Sequence, residues 1–171
     1  MFTFASIVVK LNLVYLSLGS NIGNRSEQLE KAINSLQEIG VVGKISSVYE
    51  TAAWGNINQS SFLNLVLQML TNIDALNFMN KLLFIEEKMG RVRKDKWEER
   101  IIDIDILYFN NEIINEEKLK VPHSYLYERK FVLEPLVEIA PDFIHPILNI
   151  SSKEMLNRCA DKLEVKRLLH A

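Results

Sequence analysis

The sequence predicts an α+β fold in which helices pack against one antiparallel sheet. Three observations predict it. Short β-branched or alternating apolar runs occur at 14–18, 41–49, 62–70 and 101–109. Two stretches of helical apolar period fall between the first and second runs and between the third and fourth. Glycine, Asn-Asn and polar segments punctuate the rest, with no repeat and no linker-like stretch.

Each element has its own signal. The first strand, VYLSL, ends at Gly19. In 26–39, Leu29, Ile33 and Leu36 recur at helical spacing, Asn24 or Ser26 can cap the start, and Gly40 stands where a C′ glycine belongs. Residues 41–49 read as strand, 50–61 as a polar loop, and 62–70 as strand again. Asp74 is an N-cap for a helix whose face is Phe78, Leu82, Ile85 and Met89, spaced 4, 3 and 4, with Gly90 stopping it. Residues 91–100 have no apolar period, 101–109 alternate, and Asn110-Asn111 turns into a short pairing segment at 112–115. A helix is expected over 132–139, with Pro135 at its start or at a kink. A last amphipathic helix is expected over 152–163. The order β-α-β-β-α-β is the split arrangement of ferredoxin-like folds, a two-layer sandwich followed here by C-terminal helices. At ~150 residues per domain, a chain of 171 residues is expected to form one domain.

Composition removes several function classes. Lys and Arg number 20 against 22 Asp and Glu, so the net charge of −2 gives no general attraction to nucleic acid or anionic membranes. Cys159 stands alone, which rules out an internal disulfide and a multi-cysteine zinc site and suits a reducing, cytoplasmic setting. No apolar run reaches the ~18–20 residues of a membrane span. The apolar stretch 2–9 lacks a basic lead and a clean cleavage site, and is expected as a short leader or extra strand within 1–12.

The sharpest local pattern is Ile102-Asp103-Ile104-Asp105-Ile106. On a strand the two aspartates share a face with Cα atoms roughly 6.6 Å apart, while the isoleucines enter the core. Such a pair suits a divalent cation that also holds substrate phosphates, or it is a solvated strand face. Just before it, Arg91, Arg93, Lys94, Lys96 and Arg100 surround Trp97, with Asp95, Glu98 and Glu99 among them. Alone, that segment reads as a solvated loop; feeding into an aspartate pair, it has the parts of Mg-polyphosphate chemistry. No Walker A or G-x-G-x-x-G pattern is present, so LGSNIGN reads as a strand-to-helix turn. His123 follows Val121-Pro122 and reads either as structural or as a phosphate donor; His145 and His170 read as non-catalytic. No Ser/His/Asp or Cys/His set is suggested.

Taken together, YLSLGSNIGNR, SSVYETAAWG, FLN, IEEKMGRVR, RIIDIDIL, VPH and RKFVLEPLVEIAP resemble the 6-hydroxymethyl-7,8-dihydropterin pyrophosphokinase family in order and spacing over 14–146. R-x-x-D-x-D after a basic loop is the family's hallmark. The resemblance implies a monomer with no nucleic-acid or membrane partner. It implies transfer of the β,γ-pyrophosphate of MgATP to the hydroxymethyl group of the pterin, with AMP released. Carried over by position, Asp103 and Asp105 would hold two Mg²⁺ ions, and Arg91 and Arg100 would stabilise charge during transfer. Asp105 or a metal-bound hydroxyl would take the hydroxyl proton. Glu86, Arg93, Trp97, Ile106, Lys118, His123, Ser124 and Arg129 fall at nucleotide-site positions. Phe62 and Phe131 would stack on the pterin, and Asn64 would pair with its edge, helped by Thr51, Ala52 and Trp54; without the resemblance, both rings read as core. Four departures are visible: a basic loop one residue shorter than in some members, Leu83 in place of a polar residue, Ser124 where some carry Tyr, and Ala-Ala rather than proline after Thr51. The alternatives are a ferredoxin-like RNA-binding module or a non-catalytic interaction module. The first would need stacking aromatics and a basic face where this strand carries two aspartates.

Overall fold

The computed structural model describes residues 10–52, 60–91 and 99–168. Residues 1–9, expected as a leader or an extra strand, and Trp54, Arg93, Lys94, Lys96, Trp97 and His170 lie outside the described residues. The sheet is built from β1 (Asn12–Ser20), β2 (Val41–Ile45), β3 (Tyr49–Thr51), β4 (Phe62–Thr71), β5 (Asp103–Phe109) and β8 (Val165–Arg167). Its order is β5-β1-β4-β3-β8, with β2 also on β4, and every pair is antiparallel. A separate two-stranded ribbon pairs β6 (Ile114–Asn115) with β7 (Lys120–Val121). Helices α1 (Arg25–Leu36) and α2 (Ala75–Lys88) cover one face of the main sheet. Helices α3 (Lys130–Ile139) and α4 (Ser152–Arg158), which the sequence left without a place, cover part of the other.

Alternation sorts the strands between these two layers. Val14, Leu16 and Leu18 of β1, Leu63, Leu65 and Leu67 of β4, and Ile104 and Ile106 of β5 pack against Leu29, Leu36, Phe78 and Leu82. Tyr15, Val66, Leu107 and Tyr108 pack against Val132, Leu133, Leu136 and Met155. The β1/β5 register steps from Tyr15↔Tyr108 to Leu16↔Ile106, so Leu107 is an extra residue on β5. This bulge lets two consecutive residues, Leu107 and Tyr108, enter the same layer.

Helix starts follow the local signals. Asn24 caps α1 by accepting from the Glu27 N–H, and Asp74 caps α2 by accepting from the Asn77 N–H. Gly90 ends α2 at φ +93°, with its N–H on the Glu87 carbonyl and the Arg91 N–H on the Glu86 carbonyl. That is a Schellman motif, and it launches Arg91 from a fixed backbone.

Several boundaries differ from the sequence expectation. α1 stops at Leu36, so Gly40 is not its C′ residue; a Cβ at Gly40 would lie 2.4 Å from the Leu70 carbonyl oxygen, and the glycine serves that close approach. The expected strand 41–49 is broken where Ser46 receives the Val66 N–H on its hydroxyl and gives its own N–H to the Val66 carbonyl. Thr51 therefore lies on a strand, not in a loop. Pro135 sits inside α3, where its missing N–H leaves the Phe131 carbonyl without the usual helical donor. The expected helix 152–163 ends at Arg158. Asp161 instead accepts from the Lys130 N–H at 3.1 Å and supplies α3 with the cap its own sequence lacks. The chain then forms β8 on the outer edge of β3.

One carboxylate joins this edge to α3. Glu138 accepts from the Ser47 N–H at 3.0 Å, the Ser47 hydroxyl and the Tyr49 hydroxyl at 2.9 Å each, and Arg167 at 3.0 Å. Burial opposes its ionisation, and these donors overcome it and hold the carboxyl below its ordinary range. A depressed carboxylate stabilises the fold above its unfolded pKa of about 4.3, and that contribution is lost as pH falls. Glu138→Gln is expected to lower the melting midpoint by about 3–6 °C at pH 7. The gap from wild type should close by pH 3; a gap independent of pH would contradict the charged network.

Candidate active site

The sheet order brings distant sequence segments onto one surface. β1 lies between β4 and β5, so Asp103 opposes Gly19, which opposes Asn64, which opposes Tyr49. In the next row Asp105, Ser17 and Val66 stand across the same three strands. Side chains opposite one another share a face. Asp103, Asp105, Phe62 and Asn64 therefore look out on the side that α3 only partly covers, with the small residues Ser17 and Gly19 as the floor between them.

Glycine leaves room for Asn64 at that floor. A Cβ at Gly19 would lie 3.0 Å from Asn64 Oδ1 and 3.7 Å from Phe62 Cδ1. Asn64 is buried and donates its amide to the Thr51 hydroxyl at 2.8 Å, which anchors the side chain beside the open surface. Phe131, on the first turn of α3, is half-buried against the cluster on the same side of the sheet. Arg129 sits between two rings, with its guanidinium carbon 5.2 Å from the Tyr125 centroid and 5.9 Å from that of Phe131.

A cleft of ≈ 580 Å³ opens along the edge strand β5, between α2 and residues 117–125. Glu86, Arg91, Asp103, Asp105, Ile106, Lys118, His123 and Ser124 line it, and so does Leu83. Arg129 is not among the lining residues. Trp54, Arg93 and Trp97, expected at the two substrate sites, fall outside the described residues, and Ala52 is exposed at the end of its described segment. Two residues went unnoticed in the sequence. Gly19 reads in the sequence only as a strand end, and Tyr125, one position beyond Ser124, supplies a ring to the cleft.

The charges are organised around Asp103. Arg91 places one guanidinium nitrogen 2.6 Å from Asp103 Oδ1, and Arg100 pairs with Oδ2. Arg91 also pairs with Glu86, a carboxylate only 2% exposed that accepts the Ile104 N–H at 2.7 Å. Glu86 thus faces β5 and Arg91 and braces the start of the aspartate strand. Asp105 differs from Asp103. Burial first, and the Asp103 charge second, push its carboxyl up to about 7, although the side chain keeps 41% exposure to the cleft.

His123 Nε2 is 3.9 Å from Asp105 Oδ2. Its Nδ1 accepts from the Tyr125 N–H at 3.3 Å, which leaves the proton on Nε2, toward the cleft. Burial and the Arg129 charge lower its pKa to about 4, so the ring is neutral and acts as a donor, not a base.

The family model for 7,8-dihydro-6-hydroxymethylpterin-pyrophosphokinase matches residues 15–141. The 2-amino-4-hydroxy-6-hydroxymethyldihydropteridine pyrophosphokinase of Aquifex aeolicus is 46% identical over 141 residues, covering 82% of this chain and 88% of its own. The Bacillus subtilis protein of the same name is 42% identical over 130 residues, covering 75% and 78%. Among solved structures, a Plasmodium falciparum HPPK-DHPS superimposes with a TM-score of 0.73 at 21% identity over 90% of this chain. The match spans 45% of that longer protein and bears on the fold alone. These relatives do not favour the RNA-binding or non-catalytic alternative. On the family match and the identity to its relatives, the chain belongs to the 7,8-dihydro-6-hydroxymethylpterin-pyrophosphokinase family.

Proposed function

We propose that the acid face of β5 and the Phe62–Asn64 surface of β4 are the two halves of one transfer site. On it the enzyme moves the β,γ-pyrophosphate of ATP to the hydroxymethyl group of 6-hydroxymethyl-7,8-dihydropterin. The observation that carries this assignment is the row Asp103–Gly19–Asn64, which leaves one strand, or roughly 10 Å, between the aspartate row and the pterin-side row. A bond forms between the hydroxymethyl oxygen and the β-phosphorus, the bond from that phosphorus to the α-phosphate oxygen breaks, and AMP leaves.

The donor set fits Mg²⁺: two carboxylates on one strand face, open to a cleft where substrate phosphates complete the ligands. Asp103 and Asp105 would hold the two ions of the family pattern, which supply charge neutralisation and a more acidic hydroxyl when bound. The chain's own residues do the rest. Lys118 and the Nε2–H of His123 face the phosphates from 117–125, and Tyr125 offers a ring to the nucleotide. Arg91 and Arg100 supply positive charge where negative charge develops on the phosphate oxygens. Phe62, with Phe131 across from the sheet, stacks on the pterin, and Asn64, oriented by Thr51, reads its polar edge. Asp105 is the acceptor for the hydroxyl proton.

The test is nucleotide turnover with ATP, with and without the hydroxymethyl pterin, in Mg²⁺ and in EDTA. AMP formed only with pterin and Mg²⁺ together is the expected result; ADP, or AMP without pterin, would overturn the transfer. Gly19→Ala is expected to raise the KM for pterin about tenfold by displacing the Asn64 amide, with the KM for ATP within about twofold of wild type. Equal effects on both constants would sink the placement of pterin over this floor.

A further inference from the structure

We infer that Asn21 is a positioning residue for pyrophosphoryl transfer, setting Arg100 against Asp103 and tying that point to the pterin side of the site. This rests on the transfer reading above. Asn21 stands in the turn between β1 and α1, where no phosphate motif exists and the capping is already done by Asn24. Its polar side chain is nonetheless only 3% exposed, and a buried amide needs a reason.

The reason is a clasp. Asn21 Oδ1 accepts from the Arg100 N–H at 2.6 Å, and the Asn21 N–H donates to the Arg100 carbonyl at 3.1 Å. Arg100 is thereby held by both of its backbone groups, 79 residues away in sequence. From that fixed backbone its guanidinium reaches Asp103. The remaining amide group, Asn21 Nδ2, donates to the Ser60 carbonyl at 3.4 Å, two residues before Phe62. Glu99 strengthens the junction: its Oε1 accepts from the Ser60 hydroxyl at 3.2 Å and the Ser60 N–H at 3.4 Å. One buried side chain thus joins Arg100, three residues ahead of the aspartate strand, to Ser60, two residues ahead of the pterin-side strand.

Only an asparagine-like group does both jobs here, accepting on one atom and donating on the other. Aspartate keeps the acceptor for Arg100 and loses the donor to Ser60; alanine loses both. A misplacement of about 1 Å in a catalytic group costs on the order of a hundredfold. Asn21→Ala is therefore expected to lower kcat by roughly ten- to a hundredfold, with the KM for ATP little changed. Asn21→Asp should retain kcat within about threefold of wild type and raise the KM for pterin.

The decisive experiment is a double-mutant cycle on AMP release, joined to amide exchange at Arg100. Asn21→Ala should slow the Arg100→Ala enzyme by less than about threefold, because its effect runs through Arg100. The exchange of the Arg100 amide should quicken in Asn21→Ala whatever the activity. Equal losses from Asn21→Ala in both backgrounds would overturn the positioning role, as would faster exchange with unchanged kcat. Unaltered exchange would overturn the clasp itself. An unchanged pterin KM in Asn21→Asp would remove the link to Ser60. Failure of the wild-type enzyme to release AMP would instead strike the transfer reading.

Discussion

Asp105→Asn is expected to lower kcat for AMP release by roughly a thousandfold, while the Kd for pterin stays within about threefold of wild type. The asymmetry follows from how the two aspartates are partnered. Both oxygens of Asp103 already meet arginines. Asp105 makes no arginine ion pair among the described residues and has a neutral histidine at 3.9 Å; burial first, and then the Asp103 charge, push its carboxyl up to about 7 against the weaker pull of Arg129 and Arg100. A carboxylate held in that position is disfavoured until positive charge arrives. On the proposed reading, Asp105 would receive that charge from a cation arriving with the nucleotide. Asparagine preserves the shape and removes the charge, so transfer fails while the stacked pterin, one strand away over Gly19, is still held. Rapid-quench AMP release and pterin titration followed by fluorescence separate the two quantities. Loss of pterin affinity with normal turnover would refute the assignment.

Much of this was legible in the sequence because it was written locally. Ile-Asp-Ile-Asp-Ile can only be a strand with its acids on one face, and Asn24, Asp74 and Gly90 mark helix ends by chemistry confined to one turn. What was not legible depends on partners far along the chain. β8 is three residues of Val-Lys-Arg that pair because β3 offers an edge. α4 ends early because Asp161 caps another helix, a contact 31 residues distant. The strand at 41–49 breaks because Ser46 replaces backbone with side chain in the ladder opposite Val66. The same holds for the site. Its aspartates and basic residues could be picked out by type, whereas Phe62 and Phe131 came only with the family resemblance and read otherwise as core. Gly19 and Asn21 could not, since a glycine at a strand end and an asparagine in a turn have ordinary local explanations. Only the order β5-β1-β4 puts them between the two halves of the proposed site.

The two arginines on Asp103 are expected to fail in different ways when removed. Arg100→Ala should lower kcat by about a thousandfold, with the melting midpoint within about 2 °C of wild type. Its side chain is 29% exposed and pairs with Asp103 alone among the described residues, so water can replace much of what stability it gives. Arg91 is 15% exposed and lies between Glu86 and Asp103. Removing it leaves the buried Glu86 without its guanidinium, at a cost of about 3 kcal/mol, or roughly 6–12 °C in a chain of this size. Arg91→Ala should therefore lose both stability and turnover. Lysine should restore little activity at position 100, because an ammonium lacks the planar fork that can address Asp103 and a phosphate oxygen together. Calorimetry and steady-state AMP release on the same preparations decide the matter. Equal destabilisation by both alanine variants would mean that Arg100 is chiefly a structural counter-ion. Full recovery of kcat by Arg100→Lys would reduce its role to charge alone.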